Sequence, residues 1–127
     1  MIKVKMIEVL NSIEILTTIG NYNDKEINIK FKYKLMMLLE SLLKYQQQYV
    51  TQMQNLINEY EIGFDNNGNP ICENEIKLKD FLNSKYELEN MDLEVNQTKI
   101  MYDKTFSKIS FNQMLVLKPF FDYSEIM

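Results

Sequence analysis

The chain opens with a strand-like alternation that gives way to a helical spacing. Ile2 and Val4 alternate with lysines, and this period of two is typical of a short strand with one buried face. From Met6 onward the apolar positions recur at intervals of three and four, which predicts a helix over about residues 6–19. The following segment 20–24, GNYND, predicts a helix end and a loop.

The dominant pattern is a long amphipathic stretch in the middle of the chain. One row recurs at alternating intervals of four and three, at residues 35, 39, 42, 46, 49, 53, 56 and 60, with one polar break at Gln46. A flanking row spaced by seven consists of Met36, Leu43, Val50 and Ile57. The pattern predicts one helix that ends near Gly63 and, if it begins near residue 30, extends about 45–50 Å at about 1.5 Å per residue.

A helix of this length is longer than one small core, so part of it is expected to pack on another helix or on a second subunit. Packing on the core is the main interpretation, because the apolar stripe is wider than the seam of a strict coiled coil. A homo-oligomer through the long helix is the alternative.

The segment 27–35, INIKFKYKL, is compatible with either a basic strand or the first turns of this helix. The helix is favoured, because Ile29 extends the flanking row by seven residues and Phe31 lies one turn before Leu35. The lysines are then expected to be solvated or paired with acidic residues, and the rings of Phe31 and Tyr33 to be partly buried.

Residues 65–70, DNNGNP, combine a turn sequence with the opening of a calcium-binding loop. That loop needs glycine at its sixth position and a carboxylate at its twelfth, where this chain has Pro70 and Ile76. Asn67-Gly68 between apolar flanks therefore predicts a turn or a small hairpin.

Further elements are predicted after this turn. Asn74 is the expected N-cap of a helix over about 75–87, with an inner face formed by Leu78, Phe81 and Leu82. Residues 91–95, MDLEV, alternate like a strand and are expected to pair with the first strand, so that their acids face its lysines. A third short strand is expected near 99–102.

The C-terminal segment carries a capping box, in which Ser110 is followed three residues later by Gln113. The helix that it starts should end or kink at Pro119. The tail 120–123, FFDY, is expected to pack on the core; if exposed, it would be a partner-binding patch. Together these elements predict one helix-dominated α+β domain over 1–127, with a long central amphipathic helix, shorter helices packed against it and a small antiparallel sheet.

Charge is distributed unevenly along the chain. Residues 1–58 hold seven lysines and five acids, residues 59–94 hold three lysines and ten acids, and residues 95–127 hold four lysines and three acids. The acidic middle segment, at a net −7, suits a protein partner with a basic surface; the alternative is a solvated face. The candidate partner-binding residues are Glu73, Glu75, Asp80, Glu87 and Glu89.

The composition excludes most types of catalytic site. The chain has no histidine, no arginine, three scattered glycines and one cysteine, Cys72, so it cannot form a Ser-His or Cys-His pair, a Cys/His zinc set or a glycine-rich phosphate loop. A hydrolase or magnesium site built only from carboxylates stays open. We expect a protein that is not an enzyme and needs no metal or other cofactor.

The order of these pieces resembles a family of short proteins without assigned function in phages and prophages of Gram-positive bacteria. The pieces are MIKVKMIEVLNSI, the long helix KYKLMMLLESLLKYQQQYVTQMQNLINEY, FDNNGNP, MDLEV and ISFNQMLVLKPFF. Met, Leu and Gln here replace the alanines usual in the long helix of that family. The resemblance implies a phage origin and offers no catalytic residue.

Three classes of function follow. The first is an inhibitor that binds a host antiviral defence protein such as a CRISPR effector, in the host cytoplasm. The second is a virion or assembly component. The third and weakest is nucleic-acid binding through the basic residues Lys25, Lys30, Lys32 and Lys34 with Phe31 and Tyr33, although without arginine the bidentate contact to phosphate or guanine is missing. No apolar run is long enough to predict a membrane span.

Overall fold

The computed structural model describes residues 1–21, 28–103, 106 and 108–124. Its elements are, in chain order, β1 (Ile2–Lys5), α1 (Met6–Gly20), α2 (Ile29–Glu59), β2 (Gly63–Phe64), β3 (Pro70–Ile71), α3 (Glu75–Glu89), β4 (Asp92–Val95), β5 (Ile100–Met101), α4 (Phe111–Leu117) and β6 (Phe121–Asp122). The shorter helices α1 and α3 pack against the long helix α2. The predicted helix-dominated α+β fold with a long central helix is confirmed.

The strand pair β1–β4 is antiparallel, as predicted. Val4 lies opposite Leu93, and the outward lysines Lys3 and Lys5 lie opposite Glu94 and Asp92. The apolar side of the pair enters the core through Ile2, Val4 and Val95. Opposite charges across the strands thus add to the burial on the other face.

Helix α2 begins where INIKFKYKL was expected to become helical. The Asn28 side chain caps it by accepting hydrogen bonds from the backbone N–H groups of Lys30 (2.9 Å) and Phe31 (3.4 Å). Phe31 is buried as predicted, but the ring of Tyr33 is 58% exposed because it lies on the outer side of the first turn. Ile27, before the cap, lies outside the described residues.

The core-facing side of α2 differs from the predicted stripe. Its buried residues are Phe31, Leu35, Leu38 and Leu42, and Leu38 was not in either predicted row. The flanking row points largely to solvent, with Met36, Leu43 and Val50 all at least 41% exposed. The reason is geometric, because α1 covers a face centred on the buried four and leaves the flanking row at its edge.

Helix α3 starts at its predicted N-cap, and the Asn74 side chain accepts from the N–H groups of Ile76 (3.0 Å) and Lys77 (3.2 Å). Phe81 is the buried residue of this helix. The prediction for Leu82 was wrong, because its side chain is 45% exposed. Each residue turns about 100° around a helix, so with Phe81 directed inward Leu82 lies at the edge of the packed face, where its side chain is half-exposed.

The C-terminal segment closes the core. Ser110 and Gln113 form the predicted capping box at the start of α4, and the helix ends two residues before Pro119. After it, Phe120 and Phe121 are buried, which confirms that the tail packs on the core. The predicted third strand is β5, and it pairs with β6 in parallel, an arrangement made possible by the crossover through α4.

An aromatic cluster joins this C-terminal pair to the start of α2. The ring of Tyr102 makes edge contacts with Phe31 and Phe121 at centroid distances of 5.5 and 5.8 Å. Its hydroxyl donates to the carbonyl oxygen of Phe106 at 2.9 Å, and the hydroxyl of Tyr123 donates to that of Met114 at 3.1 Å. Burial raises the pKa of Tyr102 far above its ordinary value and that of Tyr123 to about 12.

We expect Leu38→Ala to lower the free energy of unfolding by about 2–5 kcal/mol, because it leaves a cavity under a fully buried side chain. Met37→Ala, one residue earlier and 41% exposed, is the matched control and should cost less than about 1 kcal/mol. Urea unfolding followed by circular dichroism measures both. Equal losses would contradict the assignment of the buried face.

We also expect the protein to lose stability as the pH rises above about 10, where unfolded tyrosines ionise. Tyr102 and Tyr123 keep their protons in the folded state, so the unfolded state releases protons first, and the free energy of unfolding falls by up to about 1.4 kcal/mol per pH unit for each group. Tyr102→Phe should make the fall in urea-unfolding free energy less steep. Tyr33→Phe, at an exposed ring, is the control, and an identical slope in all three proteins would contradict the prediction.

Candidate functional site

The second half of α2, the β2–β3 hairpin and α3 form an arm (residues 43–89) outside the main hydrophobic core. The fully buried positions of α2 stop at Leu42. The buried residues of the arm, Ile62 and Phe81, are not part of the apolar cluster that joins α1, α2, α4 and the strands β1, β4, β5 and β6. The arm is held by the packing of α3 on α2 and by smaller contacts of α3 with α1.

The hairpin at the end of the arm is closed by Asp65. Its Oδ1 accepts hydrogen bonds from the backbone N–H groups of Asn67 and Asn69, both at 2.9 Å. Gly68 has a φ of +80°, which glycine adopts without strain. The predicted turn and hairpin are confirmed, and the carboxylate that would open a calcium loop serves the turn. Among the described residues, no three Asp, Glu or Cys side chains are grouped as metal ligands.

The end of α2 places a glutamate in an unusual backbone conformation. The helix stops at Glu59, earlier than predicted, because the N–H of Ile62 turns back to the carbonyl oxygen of Ile57 at 3.0 Å. This hydrogen bond is typical of a Schellman motif, whose left-handed position is normally glycine. Here that position is Glu61, with a φ of +54°, whereas Gly63 follows two residues later. For a residue other than glycine, this conformation costs about 1–2 kcal/mol.

The Glu61 carboxylate is exposed and makes an ion pair across the arm. Its Oε1 lies 2.7 Å from Nζ of Lys77 on α3, and the Glu61 side chain is 75% exposed. The hydrogen bond from Lys77 lowers the pKa of Glu61 and raises that of Lys77. An exposed pair of this kind contributes little stability, so it does not explain why a glutamate occupies a strained position.

The charges at the two ends of α2 have the same signs as the poles of its macrodipole. The first turn contains no acidic residue and the last turn no basic one. Instead, Lys30 and Lys34 lie near the positive N-terminus, and Glu59 and Glu61 lie at the negative C-terminus. Each such charge is unfavourable by about 0.3–1 kcal/mol when weakly screened. The helix is therefore polarised along a length of about 46 Å at 1.5 Å per residue, at a cost in stability.

Acidic residues gather where the arm reverses direction. The acidic tip, residues 59–75, contains five acids and no lysine; they are Glu59, Glu61, Asp65, Glu73 and Glu75. The sulfur of Cys72 lies 3.6 Å from the carbonyl oxygen of Tyr60, so the two sides of the tip are adjacent. The segment 59–75 thus carries a net −5, and Lys77, which is paired with Glu61, lies directly beside it.

The five candidate residues from the sequence do not form one patch. Glu73 and Glu75 belong to the acidic tip, while Asp80 and Glu87 lie two turns apart on the exposed face of α3. Glu89 is 19% exposed, and its carboxylate pairs with Nζ of Lys85 at 2.9 Å. Because α3 is about 21 Å long from Glu75 to Glu89 at 1.5 Å per residue, a partner that covers the tip does not automatically reach Glu89.

Glu89 has a structural role beside Tyr49 of α2. Burial raises the pKa of Tyr49, and the negative charge of Glu89 raises it further. The hydrogen bond to Glu89 raises the pKa of Lys85. Tyr49 of α2 therefore lies close enough to the Lys85–Glu89 pair of α3 to be influenced by both charges.

The sequence reasoning missed Glu59 and Glu61 as site residues. The available signal was their position at the C-terminal end of a long helix, where acidic residues are unfavourable. The sequence did not indicate the left-handed conformation of Glu61, because the nearby Gly63 was the expected residue for the end of the helix.

A second surface, at the other end of α2, is basic. Tyr33, Lys34 and Lys99 line a shallow depression next to Gln97. The Gln97 side chain fixes this segment to α2 by donating to the carbonyl oxygen of Met37 (3.1 Å) and to the hydroxyl of Ser41 (2.8 Å). Phe31 is in the core and cannot stack on a base, and Lys25 lies outside the described residues.

Comparisons with protein-family models, with curated proteins and with solved structures found no match to this chain. In the described part of the chain, no helix has the length and apolar character to span a membrane.

We expect Asn74→Ala to lower the free energy of unfolding by about 0.5–2 kcal/mol, because two N–H groups at the start of α3 lose their cap. Asn83→Ala, on the exposed face of the same helix, removes the same side chain without a cap and should stay within about 0.5 kcal/mol of wild type. Urea unfolding followed by circular dichroism compares them. Equal effects would contradict the capping role.

Proposed function

We propose that this protein acts without catalysis, by binding a protein with a basic surface through its acidic tip. The observation that carries this proposal is Glu61, an exposed glutamate held in a left-handed conformation at the negative end of a helix. Strained backbone positions of this kind persist at functional sites. Here the cost in stability places a glutamate carboxylate directly after the C-terminal end of α2.

The acidic tip has the properties of an electrostatic docking surface. Its net −5 lies about 44 Å along α2 from Lys30, at 1.5 Å per residue, which is several Debye lengths at physiological salt. The two ends therefore do not screen each other, and the tip attracts a basic surface as an independent charge. Such attraction increases the association rate and weakens with salt.

The resemblance to phage proteins directs this proposal to a host partner. We take the most suitable partner to be a basic subunit of an antiviral defence complex, such as a CRISPR nuclease, which the protein would inhibit in the host cytoplasm. A nuclease that holds nucleic acid presents basic channels, and an acidic arm is complementary to such a channel.

A virion or assembly role is the alternative, and the exposed apolar residues along α2 favour it, since they suit a repeated contact between copies. Nucleic-acid binding is weaker. The basic depression lacks the stacking ring of Phe31, and the chain has no arginine, so only a salt-sensitive attraction to phosphate remains.

We expect wild-type protein, produced in a Gram-positive bacterium with an active CRISPR nuclease, to raise the number of plaques formed by a phage that the nuclease targets. Glu61→Gln combined with Glu59→Gln and Glu73→Gln should reduce this effect, because three charges of the tip are lost. Glu40→Gln, exposed on α2 away from the tip, is the matched control and should act like wild type. No increase with wild type would contradict inhibition of that nuclease, and an equal increase with the tip variant would contradict the role of the tip.

The Glu61→Gly variant distinguishes the effect of the Glu61 charge from the effect of the backbone strain at this position. It relieves the left-handed position and should raise the free energy of unfolding by about 0.5–1 kcal/mol, whereas Glu61→Gln keeps the strain and should change it little. On the proposal, both variants weaken activity in the plaque assay. A fully active Glu61→Gly protein would mean that the glutamate is not used for binding.

A further inference from the structure

The flanking row of α2 forms a continuous apolar line that the described residues leave open. Its members, Ile29, Met36, Leu43, Val50 and Ile57, repeat every seven residues. The first four are 79%, 46%, 41% and 59% exposed, and Ile57 is partly buried. Residues seven apart lie on one side of a helix, so this apolar row extends about 42 Å at 1.5 Å per residue.

The positions three residues further on complete a coiled-coil pattern. They are Lys32, Leu39, Gln46, Met53 and Tyr60, and the side chains of Leu39 and Met53 are partly exposed beside the row. Alternating intervals of three and four are the spacing of an interhelical seam. The core face of the same helix is a different one, centred on Leu38 and Leu42. Helix α3 packs on the second half of α2, where Met53 and Ile57 are partly buried, so the exposed part of the row that a second helix can cover is centred on Met36, Leu43 and Val50.

The charges of α2 select the partner and its direction. A second copy in parallel would place Lys30 and Lys34 beside the same lysines, and Glu59 beside the same glutamate. A second copy in antiparallel orientation places each basic end beside an acidic end and also opposes the two helix dipoles. The charge pattern that is unfavourable within one chain becomes favourable between two.

We propose that the protein forms an antiparallel homodimer through the apolar row of α2. The two-fold axis passes between residues 46 and 47, so that Leu43 meets Val50 of the partner subunit and Met36 meets Ile57 of the partner subunit. Such an isologous contact uses the same surface twice.

This register gives a role to the polar break in the pattern. Gln46 and Gln47 lie at the two-fold axis, where their amide groups face the same groups of the second copy. A polar residue at a seam fixes register and orientation at some cost in stability. At each end, Ile57 of the partner subunit enters the apolar groove lined by Leu16, Met36 and Leu39.

The first test is the mass in solution. Sedimentation equilibrium should give wild type twice the chain mass of 15.2 kDa. Val50→Glu should give a monomer with unchanged circular dichroism, because its side chain is exposed in the single chain. Gln48→Glu, exposed on another side of α2, adds the same charge and should remain a dimer. A wild-type monomer at every accessible concentration, or a Val50→Glu dimer, would overturn the proposal.

The second test is orientation, measured by disulfide crosslinking in a Cys72→Ser background. Met36→Cys protein should crosslink to Ile57→Cys protein and not to itself, whereas Gln47→Cys protein should crosslink to itself. Self-crosslinking of Met36→Cys would indicate a parallel pair and overturn the antiparallel arrangement. The dimer does not depend on the proposed function, since its seam lies along the flank of α2 and, of the acidic tip, brings Glu59 beside the lysines of the second copy.

Discussion

The packing of Phe31, Leu35, Leu38 and Leu42 into the core is the contact on which the rest of the structure depends. These four residues lie in the first half of α2 and are almost fully buried. Because α2 continues for 17 residues beyond Leu42, its second half is carried out of the core as a rigid rod. Helix α3 returns along this second half and packs against it, and Tyr45 near its start contacts the main core.

This geometry separates the folding core from the acidic tip that is proposed as the binding surface. The buried half holds the sheet pair β1–β4 and the C-terminal aromatic cluster, in which Tyr102 contacts Phe31 directly. The outer half tolerates features that a core would exclude, including an exposed Val50 and a left-handed glutamate. Unfavourable local features reduce the overall free energy of unfolding only a little in this half, because it lies outside the folding core.

The two ends of α2 carry opposite charges. Lysines at the start of α2 and acids at its end add to the helix dipole instead of compensating it, so a single chain carries an unfavourable charge distribution. In the proposed dimer, the opposite charges of the second copy reduce this unfavourable electrostatic energy. A basic partner bound at the acidic tip reduces it there. Both proposals explain why charges that weaken the isolated helix are present.

The sequence by itself determined the local elements. Asn74 and Ser110 were sufficient to place two helix starts, because a cap is a contact between residues two or three apart. The alternation in β1 and β4 was also sufficient to predict their pairing. Which side of α2 is buried, the exposure of Leu82, the parallel β5–β6 pair and the strain at Glu61 were decided only by the tertiary structure. Each of these depends on which distant element covers a residue, and a period of three and four residues cannot distinguish a face packed on α1 from a face beside it.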